Sequence, residues 1–146
     1  MNFYRKGFSL IEVLIVIAVL AVIATVVLPQ FSKVRENQVL KSGVEDILSS
    51  LDKARANTLS SLHSSSYGVH FEAGQIVIFK GTSYSSGDSN NETVSIVSPA
   101  SITSGNFDVY FNRLTGAPSN TGAITITTPN YSKTITISAT GVASSN

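Results

Sequence analysis

The chain has 146 residues, enough for one domain and an appendage but short for two full domains. Ten Lys and Arg stand against nine Asp and Glu, so no strong charge points to nucleic acid or another electrostatic partner. Cysteine is absent, which excludes disulfides, thiol nucleophiles and Cys-ligated metals.

The first 29 residues are the least ordinary. Between Phe8 and Leu28 the only polar side chains are Ser9, Glu12 and Thr25. As a helix these residues would be roughly 31 Å long, matching the hydrocarbon core of a bilayer. Arg5 and Lys6 precede them, so the positive-inside rule keeps the N-terminus cytoplasmic and exports the remainder. Glu12 is the anomaly, because an acidic residue inside an apolar span costs a few kcal/mol on membrane-insertion scales, about 2.5–3.5 at mid-span. Three readings compete for the segment. One is a secretory signal peptide cut after Ala24, which would release a soluble β-rich binding domain beginning at Thr25. Another is an uncut signal anchor. In neither does anything reward Glu12.

The third reading rests on Lys6-Gly7-Phe8-Ser9-Leu10-Ile11-Glu12-Val13-Leu14. This stretch resembles the class III leader of type IV pilins and type II secretion pseudopilins. The resemblance implies cleavage between Gly7 and Phe8 by a prepilin peptidase, N-methylation of Phe8, and a role for Glu12 in registering subunits. A free amine on Phe8 would be mostly cationic at neutral pH. Residues i and i+4 adjoin on a helix, so Glu12 could neutralise that amine in its own chain or in a neighbour. Implied partners are other pilin or pseudopilin subunits, the assembly platform in the inner membrane, and lipid before assembly. Pro29 closes the apolar run and is expected to kink or break the helix; by resemblance, the segment before it can unwind during assembly.

Beyond Pro29 the pattern stays helical and becomes amphipathic. Leu40, Val44, Ile47, Leu51, Ala54, Thr58 and Leu62 are spaced 4, 3, 4, 3, 4 and 4, which is one face of a helix. Lys41, Glu45, Asp46, Asp52 and Lys53 fall opposite, as a solvated face, and Gly43 is a weak point for the helix. The expected organisation is a leader at 1–7, a membrane or filament-core helix at 8–29, its amphipathic continuation at 30–62, and a β-rich head at 63–146.

Residues 64–146 hold 27 Ser and Thr among 83, with four acidic and three basic side chains. Residues 67–72 and 75–80 flank Ala73-Gly74 as a β-hairpin. Further strands are expected at 93–97, 107–111, 123–128 and 133–138, the last two alternating apolar residues with Thr as half-buried antiparallel strands do. Residues 81–92, GTSYSSGDSNNE, read as a flexible loop. The fold class is α+β, a long helix packed on an antiparallel head. Four head segments resemble H-type minor pseudopilins and T-type minor pilins: Ala54 to Thr58, Tyr67 to Phe71, Phe111 to Gly116, and Ile135 to Gly141. That resemblance implies a minor subunit at the tip or start of a filament.

No enzyme motif is present. His63 and His70 lack carboxylates at metal-ligand spacing, no P-loop or nucleophile elbow occurs, and no cofactor or metal is implied. The stretch GDSNNE is a poor calcium ligand series. Some T-type minor pilins serve DNA uptake, but Lys80, Arg113 and Lys133 are few cations for phosphate binding.

Overall fold

The computed structural model describes residues 7–104 and 107–146, with backbone alone at positions 28 and 29. Residues 1–6, including Arg5 and Lys6, lie outside the described residues. The chain divides into two compact units, Met1–Arg35 and Glu36–Asn146.

One helix, α1 (Leu10–Leu59), contributes to both units. In the first unit every described side chain of α1 up to Val27 is exposed, including Leu10, Ile11, Val13 to Ile17 and Leu20. A helix that is apolar all round has no preferred solvent face, so its surroundings must be lipid or other apolar helices. It is long and apolar enough to cross a membrane. The helical assignment runs through position 29, although a proline there removes the N–H that would bond the carbonyl of residue 25.

In the second unit the helix is one-sided. Leu40, Val44, Ile47, Leu51, Ala54 and Thr58 are all buried, while Lys41, Glu45, Asp52 and Lys53 are exposed. Leu62 falls outside this stripe because α1 ends at Leu59, three residues before the expected boundary. The amide of Ser60 still bonds the Ala56 carbonyl at 2.9 Å, but that of Ser61 tightens onto Thr58 O at 3.0 Å. Ser61 then turns left-handed with φ 52°, and a short 3-10 turn follows at Leu62–Ser64. Serine competes for backbone bonds and favours such terminations over helix interiors.

Among the described residues eight strands follow: β1 (Tyr67–Glu72), β2 (Gln75–Lys80), β3 (Glu92–Ser95), β4 (Ser101–Ile102), β5 (Phe107–Tyr110), β6 (Gly122–Thr127), β7 (Ser132–Ile137) and β8 (Ala143–Ser145). They form two antiparallel four-stranded sheets, ordered β3-β2-β1-β5 and β4-β6-β7-β8. The β1–β2 hairpin pairs Phe71 with Ile76 and Val69 with Ile78 across the Ala73-Gly74 turn. Period-two alternation sends Val69, Phe71, Ile76, Ile78 and Val109 of the first sheet, and Ile124, Ile126, Ile135 and Ile137 of the second, into one core with the α1 stripe. The fold is therefore α+β, with a long helix whose C-terminal part packs on antiparallel sheets.

Gly43 has a packing role. A Cβ there would lie 2.5 Å from Ile126 Cδ1, so the glycine lets α1 approach the second sheet closely. The loop from Gly81 to Asn91 is tied down. Tyr84 stacks on His70 with centroids 3.9 Å apart and also meets Phe79, so the loop covers the outer face of β1 and β2. Within it, Asn91 Nδ2 donates to Ser85 O at 2.7 Å.

Candidate functional site

At the N-terminal end, residues 7–9 precede α1 without regular structure, and Gly7, Phe8 and Ser9 are all exposed. Phe8 is 84% accessible, and a Cβ added at Gly7 would meet nothing within 4 Å. Among the described residues, none covers Gly7 or Phe8. Glu12 sits in the first turn of α1, where the partial positive charge of the helix N-terminus favours a carboxylate. Phe8, Glu12, Val13, Val16 and Ile17 line one shallow hollow of about 240 Å³, so the ring and the carboxylate share a helix face. Glu12 has no ion-pair partner among the described residues. A carboxylate without a cation on an apolar helix is the state that a neighbouring amine would relieve.

The four head segments singled out in the sequence meet at one node in the second unit. Ala54 is fully buried. Thr58 Oγ1 accepts the Tyr67 amide at 2.8 Å and donates to the Ala54 carbonyl at 2.8 Å, joining α1 to the start of β1. Arg55 reaches the other way: its Nε donates to Gly116 O and its Nη2 to Thr140 O, both at 3.2 Å. Gly116 ends the turn after Phe111, its amide bonding Asn112 O at 2.8 Å. Gly141 closes the turn after β7 with its amide on Ser138 O at 2.9 Å. Arg55 satisfies two carbonyls that the turns leave unpaired, so one side chain fixes three segments.

His70 was the residue whose surroundings the sequence concealed. Its Nδ1 pairs with Asp108 Oδ1, and its Nε2 lies 3.2 Å from Glu72 Oε1. The β1–β5 register places His70 opposite Asp108, 38 residues away, and alternation puts Glu72 on the same face. Gln75 Nε2 donates to the second Glu72 oxygen at 2.7 Å. The imidazole edge nitrogens point to different carboxylates instead of one shared point, and among the described residues no group of three His, Asp or Glu could hold a metal. His63 is engaged locally, its Nδ1 3.0 Å from the Tyr67 hydroxyl. Asp88 of GDSNNE is occupied by its own loop: Oδ1 accepts the Asn90 amide at 2.8 Å and Asn90 Nδ2 at 2.7 Å. Those hydrogen bonds, the backbone one foremost, hold its carboxyl below the ordinary value.

Residues 2–28 match a protein family described as the prokaryotic N-terminal methylation motif. The matched segment contains Gly7, Phe8 and Glu12 and ends at the close of the apolar run. The motif is the class III prepilin leader and indicates the type IV pilin and pseudopilin family. It implies processing by a prepilin peptidase and assembly with pilin subunits; proteins of that family are structural and not enzymes. No curated protein and no solved structure matches the chain.

Proposed function

We propose that this pilin-like chain is a minor subunit, at the tip or start of the filament, of a type IV pilus or type II secretion pseudopilus. It enters the inner membrane with its N-terminus cytoplasmic and its head outside. Prepilin peptidase cuts between Gly7 and Phe8, and Phe8 is then N-methylated. Glu12 pairs with the new Phe8 amine of a neighbouring subunit, and the helix of residues 8–29 leaves lipid for a bundle of like helices. Residues 30–62 continue it into the head of residues 63–146. Pro29 provides a weak point at which the helix can open during assembly.

The observation that carries this reading is the leader match at residues 2–28, joined to a helix whose apolar side chains are exposed on every side. The node of Ala54, Arg55, Thr58, Gly116 and Gly141 supports the minor-subunit assignment, because it gives a physical reason for the residues that carry that resemblance. Glu12→Ala is the test. Breaking a desolvated ion pair costs about 3–5 kcal/mol, so incorporation into filaments should fall at least about tenfold. Membrane insertion and trimming after Gly7 should be unchanged. Normal incorporation of Glu12→Ala would overturn the role given to this carboxylate.

A further inference from the structure

Where α1 gives way to β1, the head carries a hollow of about 560 Å³ lined by Ser61, Ser66, Thr82, Tyr110, Asn112, Arg113 and Leu114. It is an open surface hollow, with Ser61, Thr82, Asn112, Arg113 and Leu114 exposed and Ser66 and Tyr110 half-buried. Three separate segments build it. Ser61 and Ser66 come from the turn after α1, Thr82 from the loop after β2, and the remainder from β5 and the turn beyond it. Tyr110 stands two residues from Asp108 and therefore shares the outer face of the first sheet with His70.

The lining is polar and unspent. Hydrogen bonds to protein groups are absent, among the described residues, for the hydroxyls of Ser61, Ser66, Thr82 and Tyr110 and for the Arg113 guanidinium. Asn112 uses its Oδ1 on the Leu114 amide at 3.0 Å, which leaves its Nδ2 available. No carboxylate lines the hollow, so Arg113 gives it a net positive charge. At the lip Leu114 is 92% accessible, a large apolar side chain held in water.

The turn that carries Ser61 is also strained. Ser61, His63 and Ser64 all take left-handed φ, at 52°, 49° and 52°. Such conformations cost about 1–2 kcal/mol each for residues other than glycine and gather where function requires a fixed shape. Here they end the helix early and place Ser61 on the hollow instead of in another helical turn.

We propose that this hollow is a binding site for an acidic carbohydrate, a pyranose bearing a carboxylate. The chemistry matches part by part. Hydroxyls and the Asn112 amide exchange hydrogen bonds with ring hydroxyls, Tyr110 and Leu114 take the apolar C–H face, and Arg113 holds the carboxylate with paired N–H donors. A nucleic acid strand fits less well, since successive phosphates need several cations and the hollow has one. The inference is independent of the filament reading, because every lining residue belongs to the second unit.

The test titrates the full chain, in phosphatidylcholine nanodiscs free of sugar detergents, with an alginate tetrasaccharide by calorimetry. Maltotetraose and the oligonucleotide dT4 are run beside it. Expected is saturable alginate binding, with maltotetraose and dT4 each at least about tenfold weaker. Arg113→Gln should weaken alginate binding by about tenfold or more, the worth of a charge-assisted bond. Thr82→Val, which removes an exposed hydroxyl and keeps the shape, should weaken it severalfold. Melting curves matching the parent chain show that both variants are folded. Absence of alginate binding, equal binding by Arg113→Gln, or dT4 binding as tight as alginate would each overturn the proposal.

Discussion

At Gly141 the backbone turns with φ +81°, and an added Cβ would lie 2.3 Å from the Gly116 carbonyl oxygen and 2.9 Å from Arg55 Nε. Both the conformation and the space require glycine. Gly141→Ala should cost about 2–4 kcal/mol, combining left-handed strain with a contact that only backbone movement relieves. Thermal unfolding of the full chain in detergent reads this as a melting point several degrees lower; an unchanged melting point would contradict the close packing. Asp46 has the opposite character. Partial burial, and then the Glu45 charge beside it, hold its carboxyl above the ordinary 3.8. A folded-state value above the unfolded one means stability is fully present below about 3.8 and declines as pH rises through the folded value. Asp46→Asn should therefore raise the melting point at pH 7, and that gain should vanish near pH 3. A loss at pH 7 would reverse the sign assigned here. Residue groupings were unevenly legible in the sequence. Gly7, Phe8 and Glu12 sit in one contiguous stretch, so their spacing was visible directly. His70 and Asp108 are brought together only by strand register, which no local pattern encodes.

Among the elements, the joint between α1 and β1 rests on Thr58. Its Oγ1 satisfies the buried Tyr67 amide at 2.8 Å and also lies 3.3 Å from the Tyr67 carbonyl. Thr58→Val keeps the shape and strands that amide, at a cost of about 1–3 kcal/mol. Thr58→Ser keeps the hydroxyl and should recover most of the loss in the same melting experiment; equal damage from both would assign Thr58 to packing alone. The amphipathic stripe of α1 and the β1–β2 hairpin were legible because each repeats a strong period over many residues, with Ala73-Gly74 between the strands. β4 and β8 were not, since two and three residues are too few to show alternation. The loop at 81–92 read as free because its polarity dominates its composition. Its anchor is one aromatic residue, Tyr84, whose partner His70 is distant in sequence. Gly43 read as a helix defect because propensity counts only the helix itself; the contact with Ile126 lies across the core.

On the scale of the whole molecule, the exposed apolar helix sets the terms. Side chains such as Ile11, Leu14, Ile17 and Leu20 are more than half accessible, and leaving each in water forgoes about 1.5–3 kcal/mol of burial. The first unit therefore needs lipid or like helices around it, while the second has its own core. Everything proposed for assembly follows from trimming that helix at Gly7. The most direct measurement is the intact mass and N-terminal residue of the chain recovered from its native membrane. A start at Phe8 carrying one added methyl group is the expected result. A start at Thr25 would contradict the account, since the helix and Glu12 would then have been discarded with a signal peptide.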